Sequence, residues 1–96
     1  MAREAHADYR VLSARLRAMV RDALEAYLRH EPKKTSRSRI KRLRGLRKPQ
    51  YRLRVDELRI FYDVSEDRVE VLAIVEKAKA AAWLTREGVR EEGASG

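Results

Sequence analysis

The sequence predicts an α+β domain: an amino-terminal helix or helical hairpin packed on a three-stranded antiparallel meander, closed by a short terminal helix. Three observations predict it. Apolar residues recur at spacings of three and four from Tyr9 to Leu28, they alternate with other residues from Tyr51 to Val75, and the run AAAWL closes the pattern as a helix. With 96 residues, 44% hydrophobic and 40% charged, the chain has the length of one domain, too apolar to stay disordered and too charged for a membrane. The domain is read as residues 1–88, with 89–96 as a disordered tail.

Taking the elements in order, Tyr9, Leu12, Leu16, Met19, Val20, Ala23, Leu24, Tyr27 and Leu28 fall on one helical face. Ser13 is the plausible internal cap, but Leu16 stands where a capping box needs Glu or Gln, so one helix and a hairpin broken at Ser13 both stay open. Pro32 ends the segment in either case. The polar run KKTSRSR reads as a mobile loop leading into IKRLRGL, whose Ile40, Leu43 and Leu46 cover one edge of the core.

Beyond Pro49 the period falls to two. Tyr51, Leu53 and Val55 alternate with Arg52 and Arg54, and Leu58, Ile60, Tyr62 and Val64 alternate with Arg59, Phe61 and Asp63. Asp56 and Glu57 supply the turn, and a symmetric loop sets Arg54 opposite Arg59 and Arg52 opposite Phe61. A third strand, Val69 to Val75, follows the turn Ser65 to Arg68 and adds Val69, Val71, Ala73 and Val75 to the core face. Tyr51 and Tyr62 belong to that face as packing residues.

Composition excludes several chemistries. There is no cysteine, and His6 and His30 stand alone, so a thiolate or histidine-rich metal site is not expected. Four glycines, at Gly45, Gly88, Gly93 and Gly96, write neither a P-loop nor a dinucleotide fingerprint, so no nucleotide cofactor is expected. The longest apolar runs, Val71 to Val75 and Ala80 to Leu84, are five residues each, against about 20 for a membrane span. No membrane association is expected. MAREAHADYR lacks the apolar stretch of a secretory signal, and with no cysteine to pair the expected compartment is the cytoplasm.

Charge is distributed unevenly. Residues 1–31 carry +1, residues 32–55 carry eleven basic and no acidic side chains, and residues 56–96 carry −4, for a net +8. An acid-free block is either a solvated loop or a surface for polyanions. The hairpin sharpens the choice, because two arginines directly opposite each other repel and cost stability. Either acids such as Glu70 or Glu76 neutralise them, or Arg52, Arg54 and Arg59 together hold an anionic ligand, since guanidinium groups fit phosphate oxygens in a bidentate way. Such a surface suits an RNA or DNA backbone as readily as a small anion. Trp83 and Leu84 anchor the last helix on the sheet, with nucleobase stacking the alternative for Trp83. Lys77 and Lys79 sit at the strand-to-helix junction, as solvated charges or as part of the basic site.

The run IKRLRGLRKPQYRLRVDELRIFYDVSEDRVEVLAIVEKAKAAAWL resembles the RelE/ParE superfamily, the small basic toxins of bacterial type II toxin–antitoxin systems. The pieces YRLRV, LRIFYDV and VEVLAIVEKAKAAAWL carry the likeness, which covers Ile40 to Leu84 closely and Ala5 to Leu28 by pattern. The resemblance implies a helical hairpin on an antiparallel sheet, a cognate antitoxin as partner, and no cofactor or metal. It implies an endoribonuclease acting on ribosome-bound mRNA for the RelE branch. The alternative is a non-catalytic ParE-like inhibitor of DNA gyrase, or a degenerate toxin that only binds.

By the same resemblance, Arg52 and Arg54 grip the RNA backbone, while Lys79 and Trp83 are read from their own residue types as further RNA-binding candidates. Arg59 lies by the scissile phosphate, and Lys77 falls where the family often has a second catalytic arginine. Trp83 falls where several RelE nucleases place a tyrosine as general base; indole is only a donor and cannot take that proton. The family's first strand also has no counterpart, since the helical pattern begins within eight residues. A bare sheet edge beside Val69–Val75 or Tyr51–Val55 is therefore expected, open to another chain.

Overall fold

A computed structural model describes residues 1–66 and 68–91. Helices α1 (Arg3–Arg10) and α2 (Ala14–Ala23) are followed by a π-helical turn, Leu24–Leu28, that continues α2. Six strands and one helix follow: β1 (Ile40–Arg42), β2 (Leu46–Lys48), β3 (Tyr51–Val55), β4 (Leu58–Ser65), β5 (Arg68–Glu76), α3 (Lys77–Glu87) and β6 (Val89–Arg90). The main sheet is antiparallel in the order β1-β3-β4-β5, and β2 pairs with β6 in a separate ribbon. This is the α+β architecture that the periodicities predict, with the helical hairpin on one face and α3 on the other. Among the described residues no helix is long and apolar enough to cross a membrane.

The helical segment breaks at Ser13, whose Oγ accepts the Leu16 amide at 3.2 Å and caps α2 without the second half of a capping box. Tyr51, Leu53, Ile60, Tyr62, Val64 and Val71 then bury against Ala5, Val20 and Leu28. Tyr51 and Tyr62 stack with ring centroids 5.3 Å apart, and the Tyr62 hydroxyl donates to the Pro32 carbonyl at 2.6 Å. Burial first, then the neighbouring Tyr51 phenol, pushes the Tyr62 pKa above the usual phenol range. Both tyrosines are packing residues.

Four features depart from the sequence reading. The sheet has four strands rather than three, because Ile40 enters as a buried residue opposite Leu53 and carries β1 with it. Beyond β1, Gly45 takes a left-handed φ of 74° in the turn to β2. The second departure is a bulge in β5: Phe61 pairs with Ala73 but Tyr62 pairs with Val71, so Leu72 is the extra residue. One inserted residue exchanges the faces beyond it, so Ile74 joins the helix-side core while Ala73 and Val75 pack with Phe61 on the other side. The third is the tail. Val89 and Arg90 pair with β2, and the Glu91 amide donates to the Gly45 carbonyl at 3.1 Å, so order extends past residue 88. The rest of the expected tail, residues 92–96, lies outside the described residues.

Fourth, the expected bare edge is covered only in part. Tyr51–Val55 is an inner strand with β1 on its outer side. Along β5, the Ala2 amide donates to the Val71 carbonyl at 2.8 Å and the Ile74 amide donates to Asp8 Oδ2 at 2.9 Å. Helix α1 thus takes up edge groups at the bulge that a pairing strand would otherwise satisfy. Replacing Asp8 with Ala strands the Ile74 N–H, and urea unfolding should show a loss of about 1–3 kcal/mol with faster exchange of that amide. An unmoved midpoint would mean that the bulge needs no cover.

Candidate functional site

The face of the sheet opposite the helical hairpin carries the basic residues. The β3–β4 pairing sets Arg54 opposite Arg59 and Arg52 opposite Phe61, and the β1–β3 pairing adds Lys41 opposite Arg52. Two cross-strand rows result: Lys41, Arg52, Phe61, Ala73, and next to it Arg54, Arg59, Val75. Neighbouring strands stand about 4.8 Å apart, so these cations are close to one another by construction.

Helix α3 covers the β4–β5 half of this face. Trp83 lies flat on Phe61, with ring centroids 4.9 Å apart and planes 3° from parallel, and Ala73 completes the buried cluster. The indole Nε1 donates to Glu4 Oε2 at 2.7 Å, which ties α3 to α1. With 6% of its surface exposed, Trp83 packs as an anchor and presents no face on which a nucleobase stacks.

The arginines have few partners. Arg59 is 7% exposed, and its Nη1 donates to the carbonyls of Asp56 at 3.2 Å and Leu58 at 2.9 Å. Arg52 is half-buried, and its Nε is shut off from solvent without a hydrogen-bond partner. Burial, followed by the Arg59 and Arg54 guanidinium charges, pushes the Arg52 pKa below its ordinary value. Arg54 is exposed and lines a cleft with Ser38, Arg39 and Asp56.

Among the described residues no acid forms an ion pair with the cluster, although Asp56 lines the cleft of Arg54. The ion pairs among the described residues are the amino terminus with Glu70, Arg29 with Glu25, Lys34 with Glu31, and Arg86 with Glu87, and none reaches Arg52, Arg54 or Arg59. Glu70 is therefore engaged elsewhere, and Glu76 is exposed at the start of α3, in register with Leu58. Among the described residues three guanidinium groups on one face are left without an ion pair, and Asp56 is the acid that borders the Arg54 cleft.

The remaining predicted site residues are placed less closely. The Lys77 amide donates to the Glu57 carbonyl at 2.8 Å, which fixes the start of α3 at the hairpin end near Arg59. Its exposed side chain borders a cleft of about 560 Å³ with Leu12, Ser13, Leu16 and Glu76, and no polar contact joins it to Arg59 among the described residues. Lys79 is exposed in the first turn of α3. His6 and His30 are exposed, and no three His, Asp or Glu side chains among the described residues converge to hold a metal ion. Lys41, which sequence reasoning missed, belongs to the basic face because β1 pairs with β3; a three-residue strand leaves no period to read.

No family model matches this chain, and no curated protein or solved structure matches it at a level that establishes kinship.

Trp83 is the chain's single tryptophan, so its fluorescence reports this packing directly. Its emission should be blue-shifted and poorly quenched by acrylamide in the folded protein. Trp83→Ala should cost about 3–5 kcal/mol in chemical unfolding. Trp83→Phe, which keeps an aromatic ring on Phe61 but loses the bond to Glu4, should cost about 1–3 kcal/mol. A solvent-like emission with little loss on truncation would place the indole outside the core.

Proposed function

We propose that this chain is a RelE/ParE-like toxin of a type II toxin–antitoxin module, an endoribonuclease that acts in the cytoplasm on ribosome-bound mRNA and is neutralised by a cognate antitoxin. The observation that carries the reading is the set of three guanidinium groups, Arg52, Arg54 and Arg59, that meet on one sheet face with no acid paired to them. Like charges held together in this way are stabilised by binding an anion. The sequence resemblance, with its helical hairpin, basic hairpin strands and closing helix, names the anion as an RNA backbone.

In the proposed reaction the ribose 2′-oxygen attacks the adjacent phosphorus, the bond to the 5′-oxygen breaks, and a 2′,3′-cyclic phosphate and a 5′-hydroxyl result. Negative charge builds on the non-bridging oxygens, where Arg59, held by two backbone carbonyls, and Arg52 supply preorganised positive charge. Arg54 grips the backbone from the exposed end of the row, while Lys77 and Lys79 add charge along α3. The 2′-proton has no positioned acceptor at Trp83, because an indole offers only a donor and this one is spent on Glu4, so solvent water takes the proton and water also protonates the leaving 5′-oxygen. A general base typically contributes about 10² to 10⁴ in rate, so cleavage is slow by that order.

That same observation favours a second reading, in which the chain only binds, as a ParE-like gyrase inhibitor or a degenerate toxin. Single-turnover cleavage of ribosome-bound message separates the two. The first reading expects slow cleavage by the wild type, no cleavage by Arg59→Ala, and no gain from Trp83→Tyr. RNA binding without cleavage supports a binding-only toxin, and inhibition of gyrase without RNA binding supports the ParE-like form. For a short single-stranded RNA that reaches the three arginines, log K should fall with log salt at a slope of about −2, from about −0.7 per contact.

A further inference from the structure

A second basic cleft lies at the far end of α3. It is bounded by Arg44 and Leu46 from the β2 region, Leu84, Thr85 and Gly88 from the end of α3, and Arg90 from β6, and encloses about 350 Å³. The β2–β6 ribbon builds it: Leu46 pairs with Arg90, and the Glu91 amide bonds to the Gly45 carbonyl. Gly88 closes the corner, since a Cβ there would lie 2.5 Å from the Leu84 carbonyl oxygen. Among the described residues no carboxylate is ion-paired to Arg44 or Arg90.

This cleft is joined to the arginine face. Helix α3 starts at the hairpin end, where the Lys77 amide meets the Glu57 carbonyl, and ends beside Leu46. Its eleven residues span about 16 Å at 1.5 Å each. Between the two ends the chain passes through Lys41, opposite Arg52, and Leu43, which packs against the Phe61–Trp83 cluster, before reaching Arg44. The basic residues therefore form a track alongside α3, with the arginine cluster at one end and Arg44 and Arg90 at the other.

We propose that the cleft of Arg44 and Arg90 is a second phosphate site that holds the backbone of the same single-stranded RNA, about five nucleotides from the arginine cluster. The spacing is the 16 Å of α3 divided by about 3.4 Å per nucleotide of a stacked strand. The two guanidinium groups take the phosphate oxygens, and the Thr85 hydroxyl, whose proton is given to the Ala81 carbonyl at 3.1 Å, stays turned toward its own helix. The site rests on the reading of the arginine face as an RNA site. It extends that reading from one scissile phosphate to a tract of message.

The test compares stacked single-stranded oligoadenylates of about three and about ten nucleotides, with binding followed against salt for the wild type, Arg44→Ala, Arg90→Gln and Arg54→Ala. The longer oligonucleotide should show a slope steeper than the shorter one by about 1.4, from two further contacts, and Arg44→Ala and Arg90→Gln should each remove about 0.7 of that excess while leaving the short oligonucleotide unaffected. Arg44 lies in an exposed turn, so its variant keeps the result readable if Arg90→Gln loosens the ribbon. Equal slopes for the two lengths, or an Arg44→Ala slope equal to the wild type on the long one, overturns the second site. If Arg54→Ala still shallows the slope in that case, the arginine face stands and only the second site falls. If Arg54→Ala changes nothing, the underlying reading falls as well.

Discussion

The pairing of Arg54 with Arg59 across the β3–β4 hairpin is the constraint on which the rest of the molecule turns. The same two-residue turn that buries Leu53 against Ile60 on the helix side forces the two arginines together on the other side, because the faces of a hairpin share one register. A slip of one residue would relieve the repulsion only by exposing the core. The hydrophobic face fixes the register, and the register fixes the charge cluster. A like-charged pair costs on the order of 0.2–1 kcal/mol, far less than the burial that imposes it.

Around that pair the chain separates two jobs. Helix α3 shields half of the face with Trp83 on Phe61, and Glu4 fastens the indole from α1, so the amino- and carboxy-terminal helices brace each other across the β5 edge. The other half, over β1 and β3, stays open and basic. Arg59 is buried and held by backbone carbonyls rather than by a carboxylate, which leaves its charge unneutralised beneath the surface while limiting its motion. Positive charge fixed in this way suits the binding of an anion more than it suits structural pairing.

The hairpin register and its arginine face were legible because strict alternation over Tyr51–Val64 ties every side chain to a face once the turn is placed. Legibility ended where information is not local. Nothing near Leu72 announces a bulge, yet that one residue moves Ala73 and Val75 to the α3 side. The strands β1, β2 and β6 are three, three and two residues long, too short for a period, and form because β3 and β2 offer them edges. The bond from Trp83 to Glu4 joins residues 79 positions apart. A sequence read in windows does not reveal that contact, although it decides that the tryptophan packs rather than reads a base.

The central claim is that the arginine cluster is strained in the empty protein and relieved by a phosphate backbone. A double-mutant cycle on unfolding free energy, with Arg54→Ala, Arg59→Ala and the double variant, measures the coupling directly when run with and without a saturating short oligouridylate. The account predicts a destabilising coupling of about 0.2–1 kcal/mol in the empty protein that vanishes or reverses when the oligonucleotide is bound. A coupling of zero in the empty protein, or one that the oligonucleotide leaves unchanged, would contradict it.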